Sequence, residues 1–217
     1  MTPALSDVLF SSVVKASRAL PHIKNAVPHR IRRYVYEVVL AKSLVRLPDR
    51  VFLENDLIDL IASRSCRRIL NVGCRRYTRN AINRLIKLGA EVWTLDIDPA
   101  AETWGVPGRH IVGDATEMDS NPICYGFDCI LFNGVFGWGI DSPDAVARTL
   151  TGLHRVMAPG TLLVVGWNTD RLNDIETHAQ FGQLFHRVEP GRIRFAGSTH
   201  VYDILEPNVA PSHGSPS

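Results

Sequence analysis

Short unbroken apolar runs alternate through this chain with longer stretches whose apolar residues recur every three or four positions. Arg68-Ile69-Leu70-Asn71-Val72 closes on Gly73, and Val92-Trp93-Thr94-Leu95 closes on Asp96. Each run has the length and continuous apolar character of a strand covered on both faces. Residues 77–88 between them space their apolar side chains as a helix does, so the unit reads strand, turn, helix, strand. Further runs predict strands over 109–112, 127–133 and 161–167 and a helix over 143–157; residues 52–62 predict a helix leading into the first strand. Strands alternating with helices predict an α/β doubly wound, mostly parallel sheet, which binds ligands at the carboxyl ends of its strands.

The last third changes character. Residues 174–183 read as helical, 184–188 as a strand, and 199–205 as a second strand after the turn signal Pro190-Gly191. Two late strands joined without a long crossover pair antiparallel. Three units follow: a basic helical N-terminal extension over 1–51, punctuated by Pro21, Pro28 and Pro48, an α/β domain over 52–206, and a disordered Pro/Ser/Gly-rich tail over 207–217.

Composition narrows the class. With 217 residues, 45% apolar and 21% charged, the chain can bury one sizeable core. No apolar run approaches the roughly 20 residues that span a bilayer, and a cytoplasmic protein is expected. Cys66, Cys74, Cys124 and Cys129 form no Cys-x-x-Cys pair, so buried thiols are expected rather than disulfides. The net charge of +2 conceals an asymmetry, because residues 1–50 hold nine Lys or Arg against Asp7, Glu37 and Asp49. Either the basic residues form a solvated helical face, or they meet phosphate, an anionic membrane surface or an acidic partner.

Several motifs, in order, resemble the class I S-adenosylmethionine-dependent methyltransferases. Ile-Leu-Asn-Val-Gly-Cys (69–74) resembles the family's first motif, Leu-Asp-Ile-Asp-Pro (95–99) its acidic second motif, and Gly-Asp-Ala (113–115) its adenine loop. Phe-Asp-Cys-Ile-Leu-Phe-Asn (127–133) resembles its fourth strand, and Met-Ala-Pro-Gly-Thr-Leu (157–162) the turn before its fifth. The resemblance covers about residues 52–206. It implies a seven-stranded sheet in the order 3-2-1-4-5-7-6 and S-adenosyl-L-methionine across the strand ends. In that frame Asn71, Gly73 and Cys74 line the methionine part, and Asp96 accepts from the ribose hydroxyls in a charge-assisted arrangement. Ile97 touches the base, Asp114 accepts from the adenine amino group, the Ala115 N–H donates to the ring, and Asn133 touches cofactor or acceptor. The bland alternatives are a surface acid at 96 and a turn former at 114.

The chain departs from that pattern where the family reads Gly-x-Gly-x-Gly. It keeps Gly73 and carries Arg75 and Tyr77 in the later glycine positions, and Asn71 stands where an acid is common. A nicotinamide fingerprint fails at the same positions. The resemblance places the acceptor above the fourth and fifth strands, where Phe136, Trp138 and Trp167 are candidates for an aromatic wall. Asn133-Gly134-Val135-Phe136 lacks the prolines of nucleic-acid base methylating enzymes, so nucleic acid is a disfavoured substrate.

A base is needed only if the acceptor must lose a proton. His178 and Asp141 are the catalytic candidates; His186 and His200 are further histidines, and His154 falls on the far side. No metal is predicted. The leading expectation is a methyltransferase for a small-molecule O or N acceptor. Two others stay open: a degenerate member of the fold serving as a binding or scaffolding module, and an RNA-directed enzyme resting on the basic arm.

Overall fold

The computed structural model describes residues 47–208. The basic extension up to residue 46 and most of the expected tail lie outside the described residues. Helices α1 (Pro48–Glu54) and α2 (Asp56–Ser63) lead into strand β1 (Arg68–Val72). Helix α3 (Arg79–Lys87), strands β2 (Glu91–Asp96), β3 (His110–Val112) and β4 (Cys129–Asn133), helix α4 (Pro143–Val156) and strand β5 (Leu162–Asn168) follow. A single turn of helix, α5 (Phe181–Leu184), opens the final hairpin of β6 (Phe185–Arg194) and β7 (His200–Pro207). The strands form one sheet in the order β3-β2-β1-β4-β5-β7-β6. β1 to β5 run parallel, and β7 is antiparallel to both β5 and β6. The expected topology is the observed one.

Alternation along the central strands divides the core into two layers. Ile69, Leu131, Val164, Tyr202 and Ile204 meet Leu57, Ile58 and Ile61 of α2 and Ile82 and Leu85 of α3 on one face. Leu70, Ile130, Phe132, Leu163 and Val165 meet Val146, Leu150 and Leu153 of α4 on the other. A strand that must fill both layers has no room for alternating polar residues, which is why β1, β4 and β5 read as continuous apolar runs. α4 starts where Ser142 Oγ accepts from the Ala145 N–H at 3.2 Å, with Pro143 at the first helical position.

The structure corrects several boundaries. The helix expected over 52–62 begins at Pro48 and breaks at Asn55 (φ −120°, ψ −82°), whose side chain donates back to the Val51 carbonyl at 3.0 Å. The first turn of the helix expected over 77–88 is a 3₁₀ turn (Arg76–Thr78), and 174–183 holds only the turn Ile175–Thr177 and the start of α5. Pro190-Gly191 is not the hairpin turn. Arg187 pairs with Leu205 and Arg192 with Asp203, so residues 188–191 bulge from one long β6 strand, and the chain reverses after Arg194. Pro207 ends β7, and Asn208 is tied to α5 by donating to the carbonyls of Gly182 and Gln183, so the ordered domain extends past 206. At its other end α1 crosses the boundary drawn at residue 51.

All four cysteines are free and buried. No helix among the described residues is long and apolar enough to cross a membrane.

Candidate functional site

At the tip of β1 the chain turns sharply through Gly73, at φ +86°. That left-handed geometry, with Val135 Cγ2 only 3.0 Å from where a Cβ would sit, admits glycine alone. Asn71 is buried and donates from Nδ2 to the Gly73 carbonyl at 3.0 Å, so it braces the loop from beneath. The next amide, Cys74 N–H, donates to Asp96 Oδ2 at 2.7 Å, while Asp98 N–H donates to Asp96 Oδ1 at 2.9 Å. Asp96, only 4% exposed, thus ties the β1 and β2 turns together. A third donor is Arg75, whose Nη1 reaches Asp96 Oδ2 at 2.8 Å and the Cys74 carbonyl at 2.6 Å. The backbone donors are built into the turns, whereas the Arg75 side chain is half exposed. Burial first, and the Asp96 carboxylate second, push the Cys74 thiol up to about 12, which leaves it a neutral packing group.

Beyond the tips of β2 and β3 lies a cleft of about 370 Å³ lined by Leu95, Gly113, Asp114, Glu117, Met118 and Asn121 among others. Asp114 is exposed, and its Oδ1 accepts from the Thr116 N–H at 2.8 Å. Ala115 is buried beneath. Ile97 and Val112, which adjoin Asp96 and Gly113 in sequence, expose 65% and 51% of their surface, an apolar edge beside the cleft. The structure therefore brings Gly73, Asp96, Ile97, Asp114 and Ala115 together along neighbouring strand tips.

The acceptor candidates are dispersed. Phe136 is fully buried with its ring 4.7 Å from Phe132. Trp167 is buried in the same layer and donates from Nε1 to Asp203 Oδ2 at 2.8 Å. Both belong to the α4 side of the core, a correction to the expected aromatic wall: on strands covered twice, every large side chain has a core to fill. Trp138 alone stands at the rim, 55% exposed, with the Arg171 guanidinium 4.2 Å over its ring. Asp141 accepts from the Gly139 N–H at 3.3 Å and closes a surface turn. His178 caps the turn after Asp174 through its backbone N–H, and its side chain makes no hydrogen bond among the described residues. Among the described residues neither candidate base hydrogen-bonds to the buried polar groups Asn133, His200 and Tyr202.

Those polar groups share the face that carries α1. Register places Asn71 beside Leu131, Asn133 beside Gly166, Gly166 beside Tyr202, and Asn168 beside His200. Asn133 is buried and donates from Nδ2 to the Tyr202 hydroxyl at 3.4 Å, and that hydroxyl donates to the Asp49 carbonyl of α1 at 3.5 Å. Gly166 makes the approach feasible, since a Cβ there would fall 2.2 Å from Asn133 Oδ1. Above them the Arg50 guanidinium lies 3.9 Å over the Tyr77 ring. The resemblance puts Asn168 on the acceptor face; sequence reasoning missed Arg50 and Tyr202. Tyr202 is signalled only by register between β5 and an antiparallel β7, and Arg50 only by the packing of α1 on that face, neither of which a local pattern encodes.

No family model matches the sequence, and no curated protein matches it. Solved structures do match. A TehB-like SAM-dependent methyltransferase from Corynebacterium glutamicum superposes with a TM-score of 0.57 at 22% identity, over 72% of this chain and 88% of that one. The N-methyltransferase NodS from Bradyrhizobium japonicum, in complex with S-adenosyl-L-homocysteine, gives 0.56 at 15% identity over 76% and 90%. An inferred O-methyltransferase from Klebsiella pneumoniae gives 0.53 at 19% over 86% and 94%. Strand order, antiparallel final hairpin and these superpositions agree: the chain has the fold of the class I S-adenosylmethionine-dependent methyltransferases.

Proposed function

We propose that the chain binds S-adenosyl-L-methionine across the tips of β1 to β4 and transfers its methyl group to a small-molecule O or N acceptor. The observation that carries this reading is the buried Asp96 carboxylate, held at the tip of β2 beside a left-handed Gly73 and next to the cleft at Asp114. The residues suit an adenosyl ligand. Asp96 supplies acceptor oxygens for a ribose diol once Arg75 swings away, Asp114 and the Ala115 N–H face the purine edge, and Ile97 and Val112 offer apolar surface to the ring. Gly73 keeps a Cβ from the methionine part, and Asn133 stands between cofactor and acceptor. When bound, the sulfonium supplies an electrophilic methyl group; the chain's own part is to orient the acceptor and exclude water.

Titration calorimetry with S-adenosylhomocysteine tests the reading. The native chain binds, and Asp96→Asn, which keeps the shape but removes the charge, weakens binding roughly tenfold to a hundredfold, the worth of about 1.5–3 kcal/mol for hydrogen bonds to an ion. Absence of heat with the native chain would sink it. One observation favours a second reading, a binding module without turnover: Arg75 already occupies the Asp96 carboxylate. That reading requires the native chain to bind the ligand weakly or not at all, and Arg75→Ala to restore binding.

A further inference from the structure

Among the described residues, six buried side-chain nitrogen or oxygen atoms have no hydrogen-bond partner, and five of them surround the ring of Tyr202. They are Asp49 Oδ1, Arg50 Nε and Nη1, Asn133 Oδ1 and His200 Nε2. Tyr202 joins them: its hydroxyl links Asn133 to the Asp49 backbone, and the His200 ring lies edge-on, 4.8 Å between centroids. Asp49 and Arg50 approach to 3.5 Å as an ion pair without a hydrogen bond. Each buried orphan costs about 1–3 kcal/mol, so five in one place mark a site suited to a hydrogen-bonding guest.

The chemistry of that guest follows from which atoms are donors. An indole N–H can only donate. Trp138 Nε1–H therefore fixes the Asn168 amide with Oδ1 toward it, at 3.2 Å, and Asn168 Nδ2 toward Thr199 Oγ1, at 3.1 Å. The same Oδ1 lies 3.3 Å from His200 Nδ1, which must carry the ring hydrogen. His200 Nε2 is left with a bare lone pair in a residue only 3% exposed. Burial, and then the charge of Arg50, lower the His200 pKa to about 3, so this ring stays neutral. Asn133 Oδ1 is an acceptor too, its amide nitrogen being engaged by Tyr202. The set holds three acceptors and two donors, and its two charges, Asp49 and Arg50, cancel. An ammonium would leave the guanidinium hydrogens unmet and a carboxylate would leave the acceptors unmet; either would bring in an uncompensated charge. A hydroxyl gives and accepts at once.

We propose that this site beneath α1 seats an uncharged hydroxyl group of the methyl acceptor, which donates its one hydrogen to His200 Nε2 and accepts from Arg50. The inference deepens the methyltransferase reading and rests on it for the word acceptor. Trp138, one hydrogen bond from Asn168, offers a face for the body that carries the hydroxyl. His200 acts as an orienting group.

The test uses the full chain labelled with ¹⁵N-histidine and three probes: phenol, benzylamine and benzoate. Phenol moves the His200 Nε2 resonance toward the hydrogen-bonded position, and the other two leave it in place. His200→Asn keeps the contact to Asn168 and loses Nε2, so phenol affinity falls at least fivefold. His200→Gln carries an amide oxygen to the Nε2 position and recovers part of the loss. Both variants keep the native affinity for S-adenosylhomocysteine. A His200 signal indifferent to all three probes means that water alone fills the pocket and overturns the proposal, as does a response to benzylamine alone or a joint loss of phenol and S-adenosylhomocysteine binding in His200→Asn. If the native chain fails to bind S-adenosylhomocysteine while His200 still responds to phenol, the methyl-transfer reading falls and the hydroxyl pocket stands.

Discussion

Arg75 governs how the Asp96 carboxylate can be used. Its guanidinium sits on the carboxylate proposed to bind a ribose diol, yet its side chain is half exposed, so the pair is worth only about 0–1 kcal/mol. Removing it frees the carboxylate without disturbing the Cys74 and Asp98 amides that hold Asp96 in place. Arg75→Ala is therefore expected to raise S-adenosylhomocysteine affinity by up to about fivefold in calorimetry. A fall in affinity would mean that Arg75 touches the ligand itself. His200 makes a prediction about stability. Its ring is held at about 3 in the fold against an ordinary 6.5, so below 6.5 the unfolded chain takes up a proton that the folded chain refuses. Stability from this group is present above about pH 6.5 and lost as pH falls toward 3, at up to about 1.4 kcal/mol per pH unit. Arg50 faces the same ring, and neighbouring Asp49, pushed up by burial, acts with the opposite sign near the acid end of the window. Denaturant titrations between pH 7 and 5 should show a slope that His200→Asn flattens; an unchanged slope would show that the histidine is not the group responsible.

The final hairpin is the element that the rest of the site leans on, and a buried charge cluster holds it. Asp203 of β7 is fully buried and accepts from Trp167 of β5 and from Arg187 and Arg192 of β6. Arg192 also pairs with Asp174 in the loop after β5, and that contact holds the Asp174 carboxyl below the usual carboxylate range. Removing one member of such a network strands the others, so Asp203→Ala is expected to cost about 3–5 kcal/mol in chemical denaturation. A loss under 1 kcal/mol would show that the cluster is solvated. Close approach of strands matters as much as charge. Gly166→Ala would set a methyl 2.2 Å from Asn133 Oδ1 and 2.8 Å from the Tyr202 ring, costing about 1–3 kcal/mol and displacing Asn133. Native stability and an unmoved Asn133 in a structure of that variant would contradict the packing described. Neither device is legible in sequence: Asp203 reads as one polar residue in an alternating strand and Gly166 as one small residue in an apolar run. Only the registers of β5 against β4 and β7, and of β6 against β7, give them meaning.

For the whole molecule, legibility divides along physical lines. The sheet was readable because strands covered on both faces must be apolar throughout, and because Gly73, Asp96 and the Gly113-Asp114-Ala115 loop close successive strands in a fixed order. The polar cluster proposed for the acceptor was not, because it is assembled from α1, β4, β5 and β7, residues 49 to 202, by packing and strand pairing. Phe136 and Trp167 misled for a related reason: a large aromatic beside a strand tip satisfies a core as well as it lines a pocket. Adenosyl recognition by Asp96 and Asp114 remains the claim on which the rest depends, and a crystal structure with S-adenosylhomocysteine tests it most directly. The account predicts the ribose hydroxyls on the Asp96 carboxylate, the purine edge at Asp114 and Ala115, and Arg75 swung clear. Arg75 still seated on Asp96, with the ligand absent or bound elsewhere, would contradict it.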